Sequence, residues 1–286
     1  NVVVGGATTE LVVTGDARIT GILTVGTASV TLNGTDGTIT GINTINGLTY
    51  PSAGPISNRN LIINGAMQVA QRSTSDTGVT NGSTGYRICD RWRFSEHGSP
   101  SAVFTLSQST EAPDDFKNSY KWDVTTAQSS LDADDVVYFE TKIEGQNVRQ
   151  LAYGTSSAKS FTLSFYVRSS ITGTFVVWFY NPNGNFACTH TYTVNAADTW
   201  ERKSITVAGD TSNSLNNDNT TGLQFRFILG AGTDYTSGTA STTWASSSMT
   251  NANRYVGQTV NIANSTSDEW LITGVQLEVG PRATPF

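Results

Sequence analysis

The sequence predicts an all-β protein, a stalk of short, glycine-punctuated strands followed by a jelly-roll β-sandwich. Three observations carry that reading. Charged residues make up only 14% of the 286, well below the usual quarter, and Thr, Ser, Gly and Asn fill the gap. That balance suits strands and turns rather than helices. Past residue 58, apolar and polar residues alternate at period two, the spacing of a half-buried strand. Before residue 48, glycines interrupt runs of Ile, Leu, Val and Thr that are too short to bury a face alone.

Residues 1–48 place turns at Gly15, Gly21, Gly26, Gly34, Gly37, Gly41 and Gly47, with Ile19, Ile22, Leu23, Val25, Val30, Leu32, Ile39, Ile42 and Ile45 between them. The irregular intervals exclude the every-third-glycine rule of collagen. Repeated small β units share a core between neighbours or subunits, and short exposed edges invite pairing. A homotrimeric stalk with Ile and Leu near its axis is therefore expected; the alternative is a flexible Gly/Thr linker. Residues 49–57, with Pro51, Gly54 and Pro55, read as a boundary, with the break near Ile56.

Residues 58–286 read as the sandwich head. Phe161, Leu163, Phe165 and Val167 share one face of a strand, as do Phe175, Val177 and Phe179, then Leu223, Phe225 and Phe227 with Leu229, then Leu271, Val275, Leu277 and Val279. "NPNGN", "NAADT" and "GDTSNSLNNDNTTG" supply turns between them, the pattern of a sandwich or jelly roll. Only "IEGQNVRQLAYG" reads as helical, for about two turns.

A net charge of −6 without a basic cluster excludes a nucleic-acid footprint. No apolar run approaches the ~20 residues of a membrane span, so no membrane insertion is expected. The chain opens at Asn1 without a methionine and reads as part of a longer product. Cys89 and Cys188 sit in apolar strand contexts and read as buried free thiols.

"NLIINGAMQVAQR", "DRWRF", "GTSSAKSFTLSFYVRSS" and "WLITGVQLEVGPRATPF" together resemble the C-terminal domains of bacteriophage tail-fibre and related virion proteins. That domain resembles the carbohydrate-binding, galactose-binding-like jelly rolls. The opening "VTGDARITGILTVGTASVTLNG" is similar to repeats in fibre-like structural proteins of marine cyanophages. The resemblance implies a homotrimeric appendage on the outside of the virion, joined to other virion proteins through its N-terminal side and involved in attachment. It leaves the ligand open, because one fold serves many purposes.

The polar faces of the alternating strands supply the candidate site. They carry Tyr166 and Arg168, Trp178 and Tyr180, Gln224 and Arg226, and on the last strand Trp270, Gln276 and Glu278. Aromatic rings against sugar C–H faces, with Arg, Gln or Glu on hydroxyls, make a saccharide site. Arg also suits anionic saccharides. Packing in a second core layer or a subunit interface, with Arg168 or Arg226 paired to Glu278, is the more frequent use of such residues. Trp244, with Tyr235 and Tyr255, stands in a long polar loop as a second ligand candidate or as a loop anchor. Trp92 reads as core, and Asp90 beside Arg91 as a local ion pair.

No cofactor is expected. Asp132, Asp134 and Asp135 are candidate calcium ligands but lack EF-hand spacing. The same three with Glu140 and Glu144 single out no glycosidase pair, and His97 and His190 fit no catalytic arrangement. The expected function is attachment through weak, multivalent recognition of host-surface saccharide. A purely architectural virion component and a polysaccharide depolymerase are the alternatives.

Overall fold

The computed structural model describes residues 60–286 in full and, before them, the backbone of five short strands. The chain divides into two compact units, Asn1–Ile56 and Ser57–Phe286. In the first, β1 (Ile22–Val25), β2 (Val30–Asn33) and β3 (Thr38–Thr40) form an antiparallel sheet in that order. There β4 (Thr44–Ile45) pairs with β5 (Leu48–Thr49). The shared Ile/Leu axis expected of a trimer concerns side chains outside the described residues.

The second unit is a jelly-roll β-sandwich. Its strands are β6 (Ser75–Val79), β7 (Trp92–His97), β8 (Val103–Ser109), β9 (Ser119–Thr126), β10 (Val136–Glu144) and β11 (Phe161–Ser169). There follow β12 (Gly173–Asn181), β13 (Phe186–Val194), β14 (Glu201–Val207), β15 (Thr221–Ala231) and β16 (Glu269–Val279). One sheet has the order β13-β12-β15-β10-β7 and the other β14-β11-β16-β9-β8-β6. Every pairing is antiparallel. The helical stretch read from the sequence is α1 (Gly145–Val148) and a 3-10 turn over Arg149–Leu151.

The inward alternation places Phe161, Leu163, Phe165, Val167, Phe175, Val177, Phe179, Leu223, Phe225 and Phe227 in one buried core between the sheets. Phe139 on β10 sits at its centre. Trp92 stacks on it at 4.9 Å, and Tyr120, Trp122 and Trp270 close around it at 4.6–6.0 Å. Each such burial contributes roughly 1.5–3 kcal/mol. Cys89 and Cys188 are free and buried, and burial beside Asp90 pushes the Cys89 thiol up to about 12.

The last strand corrects one expectation. Leu271 and Val275 do not share a face, and Trp270 is a core residue rather than a partner of Gln276 and Glu278. Along β11 the register runs Ser164↔Gln276 and then Tyr166↔Thr273, one extra residue on β16, which is a β-bulge. Gly274 lies within it at φ +61, and a Cβ there would strike the rings of Phe116 and Tyr166. A bulge inverts the parity of everything before it. Trp270 and Ile272 therefore point inward with Val275 and Leu277.

The segments that carry the resemblance meet at this bulge. Asn60 Oδ1 accepts from the amides of Ile62 and Leu277, and its Nδ2 donates to Val275 O. Val275 N donates to Gly65 O, and Trp92 Nε1 to Asn64 O at 3.1 Å. Past the strand, the tail turns back over the outer face of β16. Thr284 donates from its amide and hydroxyl to the Glu278 carboxylate, at 2.7 Å each.

Candidate functional site

Sheet order decides which outward side chains are neighbours. β11 and β16 belong to the six-stranded sheet, β12 and β15 to the five-stranded one, so the single polar face expected from the sequence is two faces on opposite sides of the sandwich. Tyr166, Arg168, Gln276 and Glu278 lie on one side, and Trp178, Tyr180, Gln224 and Arg226 on the other.

The six-stranded side is committed to itself. Arg168 pairs with Glu269, with Glu111 at 3.1 Å and with Asp198 at 3.3 Å, while Lys121 also bonds Glu269. Three carboxylates thus meet two cations. Tyr166 packs against Phe116, which in turn meets Phe286 of the tail. Glu278 is buried under Thr284, and Gln276 Nε2 donates to the same hydroxyl. The expectation that Glu278, Tyr166 and Arg168 join a saccharide site with Trp178 is corrected: both sheets and the core lie between.

On the five-stranded side, the register aligns outward residues in rows. One row reads Ala187, Tyr180, Gln224, Lys142 across β13, β12, β15 and β10. The next reads Thr189, Trp178, Arg226, Glu140, Arg93, ending on β7. Beyond it the pairs Val176–Thr191 and Ile228–Tyr138–Ser95 are mostly apolar. The chain between β15 and β16 folds back over this apolar end. It begins with α2 (Thr233–Thr236), and Tyr235 and Tyr255 pack there with Val136, Tyr138, Val176, Trp178 and Ile228 in a second cluster.

This cover is pinned. Thr189 donates from its amide to Ser241 O and from its hydroxyl to Arg254 O, and Val176 N donates to Gln258 Oε1. Trp244 is an anchor rather than a ligand residue. Its Nε1 donates to Ala208 O at 3.0 Å, and its ring meets Tyr153 edge-on. Tyr235 and Tyr255 are anchors too, 3% and 1% exposed. Trp178 is likewise corrected: at 1% exposed, under Tyr255, it is the floor of the covered half and no open platform.

The remaining residues are held by one buried carboxylate. Glu140 is fully buried; Oε1 accepts from Arg93 at 2.6 Å and Ser95 at 3.4 Å, Oε2 from Arg226 at 3.1 Å and from Gln224. A buried charge needs this full set of partners. The Arg226 guanidinium lies between Tyr138, at 4.4 Å, and Trp178, at 4.9 Å, and its Nη1 donates to Tyr255 Oη. Arg254 approaches the Trp178 ring from the cover at 5.9 Å. Tyr180 stacks on Trp178 at 5.2 Å and 14°, stays half-buried, and donates to Asn185 Oδ1.

The open half of the face thus presents Tyr180, Lys142, Arg226, Arg93 and Arg254, all partly exposed, over Gln224 and Glu140. Glu140, Arg93, Lys142 and Arg254 were absent from the sequence-based site. The outward parity of Tyr138, Glu140 and Lys142 is visible in "VVYFETKIE", but only sheet order sets it beside Arg226. The expected Asp90–Arg91 pair is also replaced: Asp90 bonds Arg72 at 3.1 Å and Arg91 bonds Glu144 at 2.7 Å. Asp135 turns inward to accept from the amides of Ser99 and Asp132 and from Gln128. Among the described residues no group of three or more His, Cys, Asp or Glu side chains is placed to hold a metal ion.

The class defined here is a jelly-roll β-sandwich with one outer face half-covered by its own loop and half open. No family model matches the chain, and no curated protein sequence does. Among solved structures, the chain is similar to the enzymatically active domain of tailspike protein 4 of bacteriophage CBA120, at 10% identity and a TM-score of 0.41. That match covers 77% of this chain and only 21% of the tailspike chain. It is also similar to TmCBM61 in complex with beta-1,4-galactotriose, at 10% identity, 77% and 99% coverage and a TM-score of 0.35. A third is the xylan-binding domain of a Paenibacillus barcinonensis protein, at 9% identity, 66% and 92% coverage and a TM-score of 0.36. These likenesses concern strand arrangement and assign this chain no ligand or activity.

Proposed function

We propose that the sandwich is a non-catalytic saccharide-binding head, and that the chain is part of a homotrimeric fibre on the outside of a virion, where it attaches the particle to a host surface. The observation that carries the binding reading is the row Tyr180–Gln224–Lys142 beside Arg226, a half-open aromatic ring among hydrogen-bonding side chains on a rigid sheet. Rings cover the apolar face of a pyranose while such groups reach its hydroxyls. The virion setting, the trimer and the contact with other virion proteins rest on the sequence resemblance and on the glycine-punctuated stalk. Three weak sites on one stalk gain avidity without new contacts.

A glycan array followed by calorimetry on the best binder tests the head. Tyr180→Ala is expected to weaken binding at least tenfold, a loss of about 1.4 kcal/mol, while the head stays folded at the assay temperature despite a lower melting temperature from the lost stacking on Trp178. Absence of any saccharide binding would leave an architectural role, and release of reducing ends from a bound polysaccharide would replace this reading with a depolymerase.

A further inference from the structure

We infer that the open half of the five-stranded face takes a saccharide bearing anionic groups, an inference that rests on the binding reading above and names its ligand class. The first ground is charge. The chain as a whole carries −6, yet this face is cationic. Arg93 and Arg226 share the single carboxylate of Glu140, which leaves one positive charge in excess. The Lys142 ammonium makes no ion pair or hydrogen bond among the described residues, although its carbonyl accepts from Arg91. Arg254 bonds a carbonyl, Met249 O, through Nε and makes no ion pair among the described residues. Arg91 and Glu144, at the edge, cancel each other. Three uncompensated positive charges therefore sit on one surface of an acidic protein.

The second ground is hydrogen-bonding capacity. The nitrogens of Arg93 and Arg226 not turned to Glu140 or Tyr255, those of Arg254 beyond Nε, and the Lys142 ammonium are donors with no acceptor among the described residues. Glu140 and Asn185, acceptors on this face, are already engaged, both Glu140 oxygens by arginine and Asn185 Oδ1 by Tyr180. A surface rich in donors and poor in acceptors complements a ligand rich in acceptors, and carboxylate, sulfate or phosphate groups on a sugar supply both those acceptors and the missing charge. A neutral glycan supplies acceptors too, but leaves the charge uncompensated.

The test measures binding of the full chain to polygalacturonate, which carries carboxylates, and to dextran sulfate, with neutral dextran and a single-stranded oligonucleotide as controls. Acidic polysaccharide is expected to bind and dextran not, with affinity falling as NaCl rises from 50 to 500 mM, because added salt shortens the screening length. Lys142→Gln removes a cation that no other residue holds, and is expected to weaken acidic-polymer binding about two- to fivefold. Lys142→Glu should weaken it further. Lys117→Gln, an exposed cation just ahead of β9 in the other sheet, should change nothing. Preference for one acidic polymer over the other identifies the anionic group. Equal affinity for a neutral saccharide, salt-independent binding, no effect of Lys142→Gln, or equal binding of the oligonucleotide would each overturn the inference. Neutral-saccharide binding that is lost in Tyr180→Ala would do so while leaving the binding head standing. Absence of all saccharide binding would remove both.

Discussion

Two buried carboxylates on the sandwich have opposite surroundings and opposite consequences. Glu140 is surrounded by donors, two of them guanidinium groups. Glu96 shares the inward parity of Trp92 and Phe94 on β7, and neither of its oxygens has a hydrogen-bond partner among the described residues. Burial, with the charge of Asp135 adding to it, pushes its carboxyl up to about 8 from 4.5. The folded state therefore holds a proton that the unfolded chain releases above about pH 4.5. Stability is full below that pH, falls as pH rises through about 8, and levels off above it. Denaturant titrations from pH 4 to 9 should show Glu96→Gln gaining on the parent chain as pH rises and being the more stable at pH 8. Parallel pH profiles for the two proteins would refute this account of Glu96.

At the scale of elements, β16 organises the head because two segments dock on it and a bulge within it sets its faces. The chain entering the sandwich pairs with it at Asn60 and Gly65, the bulge at Gly274 resets its parity, and the tail lies across its outer face. The close approach at Gly65 is the most demanding of these contacts, since a Cβ there would lie 1.9 Å from Val275 O. Backbone on the other side cannot rotate away, so Gly65→Ala is expected to destabilise the head by about 1–3 kcal/mol or somewhat more. Urea unfolding measures it, and unchanged stability would mean that residues 60–65 do not sit against β16 in solution. The motifs "NLIING", "DRW", "TGVQLEVG" and "ATPF" are in this light one structural device: they join the entry, the core tryptophan, the bulged strand and the tail. This is why they mark a fold and say nothing of a ligand.

For the whole molecule, the proposed trimer and the half-open face belong together, since weak sites become useful when several act at once. Sedimentation of the full chain is expected to give three copies, with residues 1–48 resistant to protease; a monomer with that segment rapidly digested would remove the stalk. The all-β class and the inward residues of β11, β12 and β15 were legible in the sequence because alternation at period two is local, set by each strand's pleat. Which strands are neighbours is set by contacts between residues far apart in the sequence, as Tyr120 and Ile272 are. Only the tertiary structure therefore separated Tyr166 and Arg168 from Trp178, brought Glu140 and Lys142 beside Arg226, and laid Tyr235 and Tyr255 over an apolar end that sequence alone left exposed. The parity of Trp270 was hidden for a related reason: one extra residue inverts a strand, and nothing in "WLITGVQLEV" beyond Gly274 announces it. The sequence by itself determined what each strand turns inward, because that needs only the strand. The tertiary structure decided what the outward side chains can do, because that depends on which strand lies next to which and on what folds over them.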